Sequence, residues 1–185
     1  ASDVYKRQAY DQKLKVVKLK SMAETLLFIQ KHDFADFDAL ADYADAASGR
    51  TKELTAKIKA AESRMAEIAV LKTHIINYAK TRDIYTAYRK AGYSKKYYDA
   101  HESDIIIHKA AKKVFDDLAL KKLPTVKSLQ AEYSDLLVQK KLDYAELSKA
   151  RDEAKRLQIY KANAEMLLRT DADEQRQTRE HQQEK

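Results

Sequence analysis

Apolar residues recur at helical spacing along most of the chain, and the clearest pattern begins shortly after residue 50. There, alternating steps of four and three residues separate Leu54, Ile58, Ala61, Met65 and Ile68. This spacing is typical of a helix whose apolar seam pairs with a second helix, as in a coiled coil. It predicts a long helix over residues 51–90.

A second seam follows the break at Leu123-Pro124-Thr125 and predicts a long return helix over residues 125–168. Pro is excluded from helix interiors, and a Thr before the first turn can cap a helix by accepting a free N–H. The apolar positions of this helix are Leu129, Tyr133, Leu136, Leu137, Tyr144, Leu147, Ala154, Leu157, Ala164 and Leu167.

Either seam alone would leave an apolar stripe in water, and pairing the two would bury both. Because the seams match in length, an intramolecular antiparallel hairpin is favoured over a parallel homodimer through one seam. The segment between them, residues 91–124, is then predicted to form a small helical tip module. Gly92 suits the left-handed residue that follows a helix, and Ser94 suits the N-cap of the next one.

The remaining segments carry weaker patterns. N-terminal helices are predicted over residues 9–50, the first with an apolar side made by Leu14, Val17, Met22, Leu26 and Ile29. Residues 37–48 are predicted to form either a short helix or the start of a longer one, in which Gly49 would kink the helix rather than stop it. Residues 1–8 show no pattern, resemble a translated sequencing-adapter remnant and are predicted to be unstructured. Residues 169–185 carry no aliphatic side chain larger than Ala, so burial cannot offset their chain entropy and a disordered tail is predicted.

The amino-acid composition supports an all-α fold and excludes several other classes of protein. Two Gly and one Pro are too few for the many tight turns of a β-rich or doubly wound fold. Zero Cys excludes disulfide scaffolds, thiolate metal sites and thiol catalysis. No apolar stretch is long enough to span a membrane and no signal peptide is visible, so a cytoplasmic protein is expected.

The positive charge is concentrated in the middle of the chain. Residues 72–113 hold ten basic and four acidic side chains, which accounts for +6 of the formal +7. Six of the twelve Tyr lie between residues 78 and 98. Cations neutralise phosphates and Tyr rings stack on bases, so this pattern favours DNA binding. The residues expected to contact DNA are Arg82, Arg89, Lys90, Tyr93, Lys95, Lys96, Tyr97, Lys109, Lys112 and Lys113.

Structural explanations compete with this interpretation. Tyr at helical spacing often fills the rim of a small core with its hydroxyl in water, and Lys-rich solvated faces are common on helical proteins. His101, Asp104 and His108 recur at i, i+3 and i+7, but a helix break near residue 102 would separate them. Neither a persuasive Ser–His–Asp order nor a Gly-rich phosphate loop occurs. No catalytic residue, metal or cofactor is therefore predicted.

A long stretch of the chain resembles a known family. Residues 62–133 read ESRMAEIAVLKTHIINYAKTRDIYTAYRKAGYSKKYYDAHESDIIIHKAAKKVFDDLALKKLPTVKSLQAEY. This run is similar to the C-terminal region of relaxase/mobilisation proteins, which conjugative transposons and mobilisable elements of gut Gram-positive bacteria encode. The likeness extends more loosely over residues 13–61 and 134–168. It implies a piece of a DNA-transfer initiator that nicks an origin of transfer and stays attached to the strand.

The chain also departs from that family. The family's nicking domain is an N-terminal sheet fold with a Tyr nucleophile and a histidine cluster that holds a divalent metal. The sequence has no H-x-H pair and no strand pattern, so the resemblance transfers no catalytic residue. It implies a non-catalytic region after the nuclease, and both an accessory DNA grip and a partner-docking arm fit that place. The basic, Tyr-rich tip favours the DNA grip, with origin-of-transfer DNA as the hypothesised partner. The alternative is a coiled-coil protein-interaction or oligomerisation arm that docks proteins of the transfer machinery.

Overall fold

The computed structural model describes residues 2–183, and over this range the chain forms five helices and no strand. The helices are α1 (Ser2–His32), α2 (Phe37–Lys90), α3 (Lys95–Ala100), α4 (Glu102–Asp117) and α5 (Val126–Gln183). The all-α prediction is confirmed. Over the same residues, no helix combines the length and the apolar character that crossing a membrane requires.

The long helix α2 passes through Gly49 without interruption, so residues 37–48 are the start of a longer helix, which is one of the two predicted alternatives. The predicted boundary between residues 50 and 51 is absent. Leu40 and Ala44 before the glycine are buried, and so is Leu54 after it. A Gly inside a helix costs about 1 kcal/mol relative to Ala. Burying a single Leu side chain contributes about 1.5–3 kcal/mol. Packing on both sides of Gly49 therefore outweighs the weak local preference for a break.

Both ends of the chain differ from the prediction. Residues 2–8 belong to α1 and residues 169–183 belong to α5, so these segments are helical rather than unstructured. Residue 1 and residues 184–185 of the same predicted segments lie outside the described residues. Residues 4–8 and 169–182 are all exposed, so tertiary packing does not hold them in the helices. Extending an existing helix costs little when the added residues are good helix formers such as Ala, Glu, Gln and Arg.

The chain divides into two compact units, and α2 and α5 each contribute to both. Unit 1 consists of residues 1–55 and 145–185, and therefore contains α1, the start of α2 and the last part of α5. Unit 2 consists of residues 56–144, which include α3 and α4.

In unit 1, α2 and α5 run antiparallel. The side-chain amide of Gln158 donates to Ala44 O at 3.4 Å, and Arg50 forms an ion pair with Glu146. Residue numbers thus rise on α2 as they fall on α5. The buried residues of this unit include Leu40, Ala44, Leu54, Leu147, Leu157 and Ala164.

Helix α1 packs on α5 through one side of its C-terminal half. The amide of Asn163 donates to Ser21 Oγ and to Thr25 Oγ1, both at 2.9 Å. One turn further along, the rings of Phe28 and Tyr160 lie 4.8 Å apart between centroids. Thr25 is fully buried by this contact, whereas every described residue from 4 to 20 is exposed.

In unit 2, α2 and α5 are again antiparallel. Lys57 pairs with Asp143 at 2.9 Å and Arg64 pairs with Glu132 at 2.7 Å. The predicted antiparallel packing of the two seams is therefore found within one chain in each unit. Helix α4 completes a core cluster in unit 2 that includes Ile68, Leu71, Ala111, Phe115 and Leu129.

The break between α4 and α5 begins with a left-handed residue that the sequence did not indicate. Ala119 N–H donates to Asp116 O at 3.0 Å and Leu120 N–H donates to Phe115 O at 3.1 Å, with Ala119 at a φ of 50°. Gly is the usual residue in this position, and Ala pays a steric penalty there. The contact of Leu120 with the core around Phe115 offsets that penalty. The predicted cap at Thr125 is confirmed, because its Oγ1 accepts from Ser128 N–H at 3.0 Å.

Candidate nucleic-acid interface

The turn after α2 fixes the direction in which the chain leaves this helix. Gly92 N–H donates to Arg89 O and Tyr93 N–H donates to Tyr88 O, each at 3.1 Å. Two carbonyls that the helix end would leave free are thereby satisfied, in a Schellman arrangement. Gly92 is left-handed with a φ of 63°, as predicted, and Ser94 Oγ caps α3 by accepting from Tyr97 N–H at 3.5 Å.

Tyr88 is the centre of an aromatic cluster, and only 8% of its surface is exposed. The ring centroids of Tyr85, Tyr93, Tyr97 and Tyr98 lie 5.2–6.3 Å from that of Tyr88. The packing joins the end of α2 to the following turn and to α3. Part of the Tyr content therefore builds a small core, as the competing structural explanation expects.

The two tyrosines that are predicted to contact DNA differ in how exposed their side chains are. Tyr93 is left-handed with a φ of 61°, which is an unfavourable backbone conformation for a residue with a Cβ. Its ring meets that of Tyr88 edge-on at 84°, and 56% of Tyr93 remains exposed. Tyr97 is half-buried, with its ring 4.4 Å from that of His101 between centroids. Tyr93 is therefore the better placed of the two to meet a base.

His108 is a packing residue in the interior of unit 2, with 3% of its surface exposed. Its ring stacks between those of Tyr78 and Tyr85, at centroid distances of 4.4 and 4.3 Å. Its Nδ1 is hydrogen bonded to Thr81 Oγ1 at 3.0 Å. Burial, and then the positive charge of Lys112, lower the pKa of His108 below its usual range. The neutral imidazole is the form that this site favours.

The His101, Asp104 and His108 set does not form a metal site. His101 lies at the junction of α3 and α4, so the helix break near residue 102 is present. His101 faces Tyr97, whereas His108 is enclosed by the tyrosines of α2. Within residues 2–183, no group of three or more acidic, His or Cys residues is close enough to hold a metal ion.

The predicted DNA-contact residues come from three helices and one turn. Three lie on the last turns of α2, one in the turn, three on α3 and three on α4; in chain order, they are Arg82, Arg89, Lys90, Tyr93, Lys95, Lys96, Tyr97, Lys109, Lys112 and Lys113. We call these ten residues the basic tip. All of them are exposed except the half-buried Tyr97.

Packing brings part of the basic tip together. The Nζ of Lys109 on α4 lies 5.8 Å from the ring centroid of Tyr88 and 5.9 Å from that of Tyr98. This distance is within the range of a cation–π interaction. The contact places a cation of α4 beside the end of α2 and beside α3. Arg82 lies six residues before Tyr88 on α2, and Lys112 and Lys113 follow Lys109 by three and four residues on α4.

The cations of the basic tip have few acidic partners. Arg82 lies 3.7 Å from the neighbouring Asp83, and both side chains are largely exposed. Among the described residues, no other cation of the basic tip forms an ion pair. Lys95 and Lys96 occupy the first turn of α3, where the helix dipole disfavours positive charge. The fold therefore gains little from these cations.

A second set of charges in unit 2 behaves differently. Lys57, Arg64 and Lys140 each bond to a carboxylate on the opposing helix, at 2.9, 2.7 and 3.4 Å respectively. Their partners are Asp143, Glu132 and Glu62, and we call these six residues the charged seam. The hydrogen bonds from Arg64 lower the pKa of Glu132, and those from Lys57 and then Gln139 lower the pKa of Asp143.

Neither the role of Thr81 nor the central position of Tyr88 in the tip was predicted from the sequence. The signal was nevertheless present in the spacing. Tyr78, Thr81, Tyr85 and Tyr88 follow one another in steps of three, four and three residues. They continue the apolar seam of α2 with larger and more polar side chains, which is why they face α4.

Comparisons of the chain with protein-family models, with curated proteins and with solved structures gave no match.

Proposed function

We propose that unit 2 binds DNA through the basic tip. The single observation that carries the proposal is a set of exposed cations on the helices that the Tyr88 cluster and Lys109 join, with almost no acidic partners among the described residues. Such cations neutralise phosphates and release the counterions that surround DNA, which provides affinity independent of sequence. Phosphate contacts position a protein on DNA, and the exposed ring of Tyr93 adds a surface on which an unpaired base can stack.

The proposed context is the non-catalytic region of a relaxase/mobilisation protein that follows its nicking domain. The support is the resemblance over residues 62–133, a run that falls entirely within unit 2. In this role the basic tip grips DNA near the origin of transfer during conjugative transfer. We expect no cleavage of DNA with any divalent metal. Metal-dependent nicking that disappears in Tyr97→Phe or Tyr98→Phe would contradict this assignment.

The test is a titration of the chain with an origin-region DNA and a random DNA of equal length, as duplex and as single strand. Each titration is made at two salt concentrations and followed by fluorescence anisotropy, with sedimentation of the same samples to define stoichiometry. Binding carried by phosphate contacts weakens steeply as salt rises and differs little between the two sequences. Affinity that is absent, or that does not change with salt, would refute the basic tip as a DNA site.

A protein-docking arm is the second candidate, and a specific feature of unit 1 favours it. Nine large apolar residues between Val4 and Leu27 of α1 are exposed. Docking that rests mainly on apolar contact, with a few exposed ion pairs beside it, should weaken less steeply with salt than phosphate binding does. The salt dependence of complex formation therefore separates the two functions.

A further inference from the structure

Helix α1 carries an apolar stripe on the side opposite to its contact with α5. The packed side is marked by the buried Thr25, with Ser21 and Phe28 half-buried beside it. At 100° per residue, the far side of the helix holds Val16, Leu19 and Leu26. These side chains are 64%, 70% and 53% exposed. Large apolar residues aligned in this way are a sign of an interaction surface rather than of scattered surface hydrophobics.

The stripe has the period of a coiled-coil seam. Alternating steps of three and four residues connect six exposed positions, which we call the α1 seam: Ala9, Gln12, Val16, Leu19, Ala23 and Leu26. In heptad terms Val16 takes an a position, and Leu19 and Leu26 take successive d positions. This combination suits pairing with one other helix. Leu27 widens the stripe at the following flanking position and is 66% exposed.

The charges beside the α1 seam indicate what kind of helix fits it. The flanking positions next to Leu19 and Val16 are occupied by Lys13, Lys15 and Lys20, all of them exposed. In a homodimer of either orientation, flanking positions of one helix face flanking positions of the other. Because the charged ones are all Lys, a second copy of this helix would bring like charges together.

A membrane surface is a poorer match than a helix. Helices that lie on membranes concentrate their apolar residues on one broad face. In α1, Leu14 and Val17 are exposed on the side that continues the contact with α5, away from the α1 seam. The polar Gln12 also interrupts the stripe itself. The apolar residues are therefore divided between two sides, and the α1 seam is narrow.

We propose that the α1 seam binds an acidic amphipathic helix of a partner protein. Leu19 and Leu26 are the apolar anchors, and Lys13, Lys15 and Lys20 pair with Glu or Asp residues at the flanking positions of the partner. This interaction lies in unit 1 and does not depend on DNA binding by unit 2. Each proposal can therefore fail without the other.

The experiment uses the whole chain and two synthetic three-heptad helices as probes. Both peptides have Leu at the two seam positions of each heptad; one has Glu at the flanking positions and the other has Lys. Binding is measured by isothermal titration calorimetry, and circular dichroism monitors helix content. We expect the Glu peptide to bind at least tenfold more tightly than the Lys peptide.

Three variants locate the binding. Leu19→Ser/Leu26→Ser is expected to weaken binding of the Glu peptide about a hundredfold, since each buried Leu contributes roughly tenfold or more. Lys13→Glu/Lys15→Glu/Lys20→Glu is expected to reverse the preference between the two peptides, so that the Lys peptide binds more tightly than the Glu peptide. The matched control Val138→Ser/Leu142→Ser removes two apolar side chains of α5, each 60% exposed, and is expected to change nothing.

Several outcomes would overturn the proposal. The first is a Glu peptide that fails to bind, or that binds Leu19→Ser/Leu26→Ser as tightly as the parent chain. The second is a dimer in sedimentation that disappears in that variant, which would assign the α1 seam to a second copy. The third is binding to phosphatidylserine vesicles that the same variant abolishes, which would assign the seam to a membrane surface.

Discussion

The basic tip and the charged seam are two parts of unit 2 in which Lys and Arg side chains have different surroundings. In the charged seam each cation meets a carboxylate across the α2–α5 contact, as Lys57 does with Asp143. In the basic tip, Lys109 rests against the Tyr88 and Tyr98 rings, and most of its neighbouring cations are exposed without an acidic partner among the described residues. Counting charges along the sequence cannot separate these two arrangements.

The difference suggests how to distinguish structural charge from charge available to a ligand. When a paired cation is removed, its carboxylate stays desolvated without a partner, so the free energy of unfolding decreases. An unpaired exposed cation contributes little to folding, so its removal appears only in binding. Substitutions in the two regions are therefore expected to separate stability from DNA affinity.

The largest effect is expected from replacing Arg89, Lys90, Lys95 and Lys96 with Ala. Four lost phosphate contacts lower the slope of log affinity against log salt by roughly 3 to 4. All DNA sequences should be affected similarly, and anisotropy titrations between 50 and 200 mM salt measure the change. Unfolding should stay close to that of the parent, because exposed substitutions usually cost within about 0.5 kcal/mol each.

The control for that variant removes the same charge elsewhere. It replaces four exposed lysines outside the basic tip, namely Lys59, Lys141, Lys149 and Lys155. If this control lowers the salt slope as much as the tip variant does, net charge rather than the basic tip accounts for binding. A folded tip variant that binds DNA like the parent would favour the docking function instead.

The next effect concerns the charged seam, where the two partners of one pair are not equivalent. Asp143 is 2% exposed and its Oδ2 has no hydrogen-bond partner, whereas 56% of the Lys57 side chain is exposed. Lys57→Met should cost about 1–3 kcal/mol, because it leaves a buried carboxylate with Gln139 as its remaining side-chain donor. Asp143→Leu should cost much less, since Lys57 can return to water. Urea unfolding of both variants tests this asymmetry, and equal losses would contradict it.

A pH-dependent effect is expected within the tip from His108. Its pKa is lowered in the folded chain, mainly by burial, so the unfolded chain binds the proton more readily. Stability is therefore complete above the ordinary His pKa of about 6.5 and falls as pH decreases from there to the lowered value. His108→Phe should flatten this part of the curve, while substituting the exposed His181 with Gln should not. Urea unfolding between pH 5 and 8 measures both, and a His108→Phe curve parallel to that of the parent would exclude the effect.

Periodicity and turn chemistry predicted most of the fold. The seam positions Leu54, Ile58, Met65 and Ile68 are all buried, and Gly92, Ser94 and Thr125 take the turn and cap roles expected of them. These features are local, because spacing and backbone preference act over a few residues. The positions of the basic tip residues on three helices and one turn followed from the same signals.

The features that escaped prediction depend on contacts between distant segments. Asp143 stands seven residues after Leu136 and seven before Ala150, at a position that the seam pattern reserves for an apolar residue. Its burial depends on Lys57, which lies far away in sequence. The left-handed Ala119 likewise depends on packing of the following Leu120 into the core. The helical C-terminal end escaped prediction because its residues cannot be buried, although helix propensity alone extends a helix that is already formed. The helical N-terminal end escaped because residues 1–8 carry no apolar periodicity.

The smallest predicted effects compare the two glycines, which lie in opposite backbone environments. A Cβ added at either Gly49 or Gly92 would meet no atom within 4 Å, so conformation alone decides the result. Gly92 has a φ of 63°, and Gly92→Ala should cost about 1–2 kcal/mol because an L-residue is strained there. Gly49 is inside α2, and Gly49→Ala should stabilise the chain by about 0.5–1 kcal/mol. Thermal unfolding of the two variants should shift in opposite directions. Stabilisation by Gly92→Ala would contradict the left-handed conformation of the turn after α2, and destabilisation by Gly49→Ala would contradict the helical conformation of Gly49.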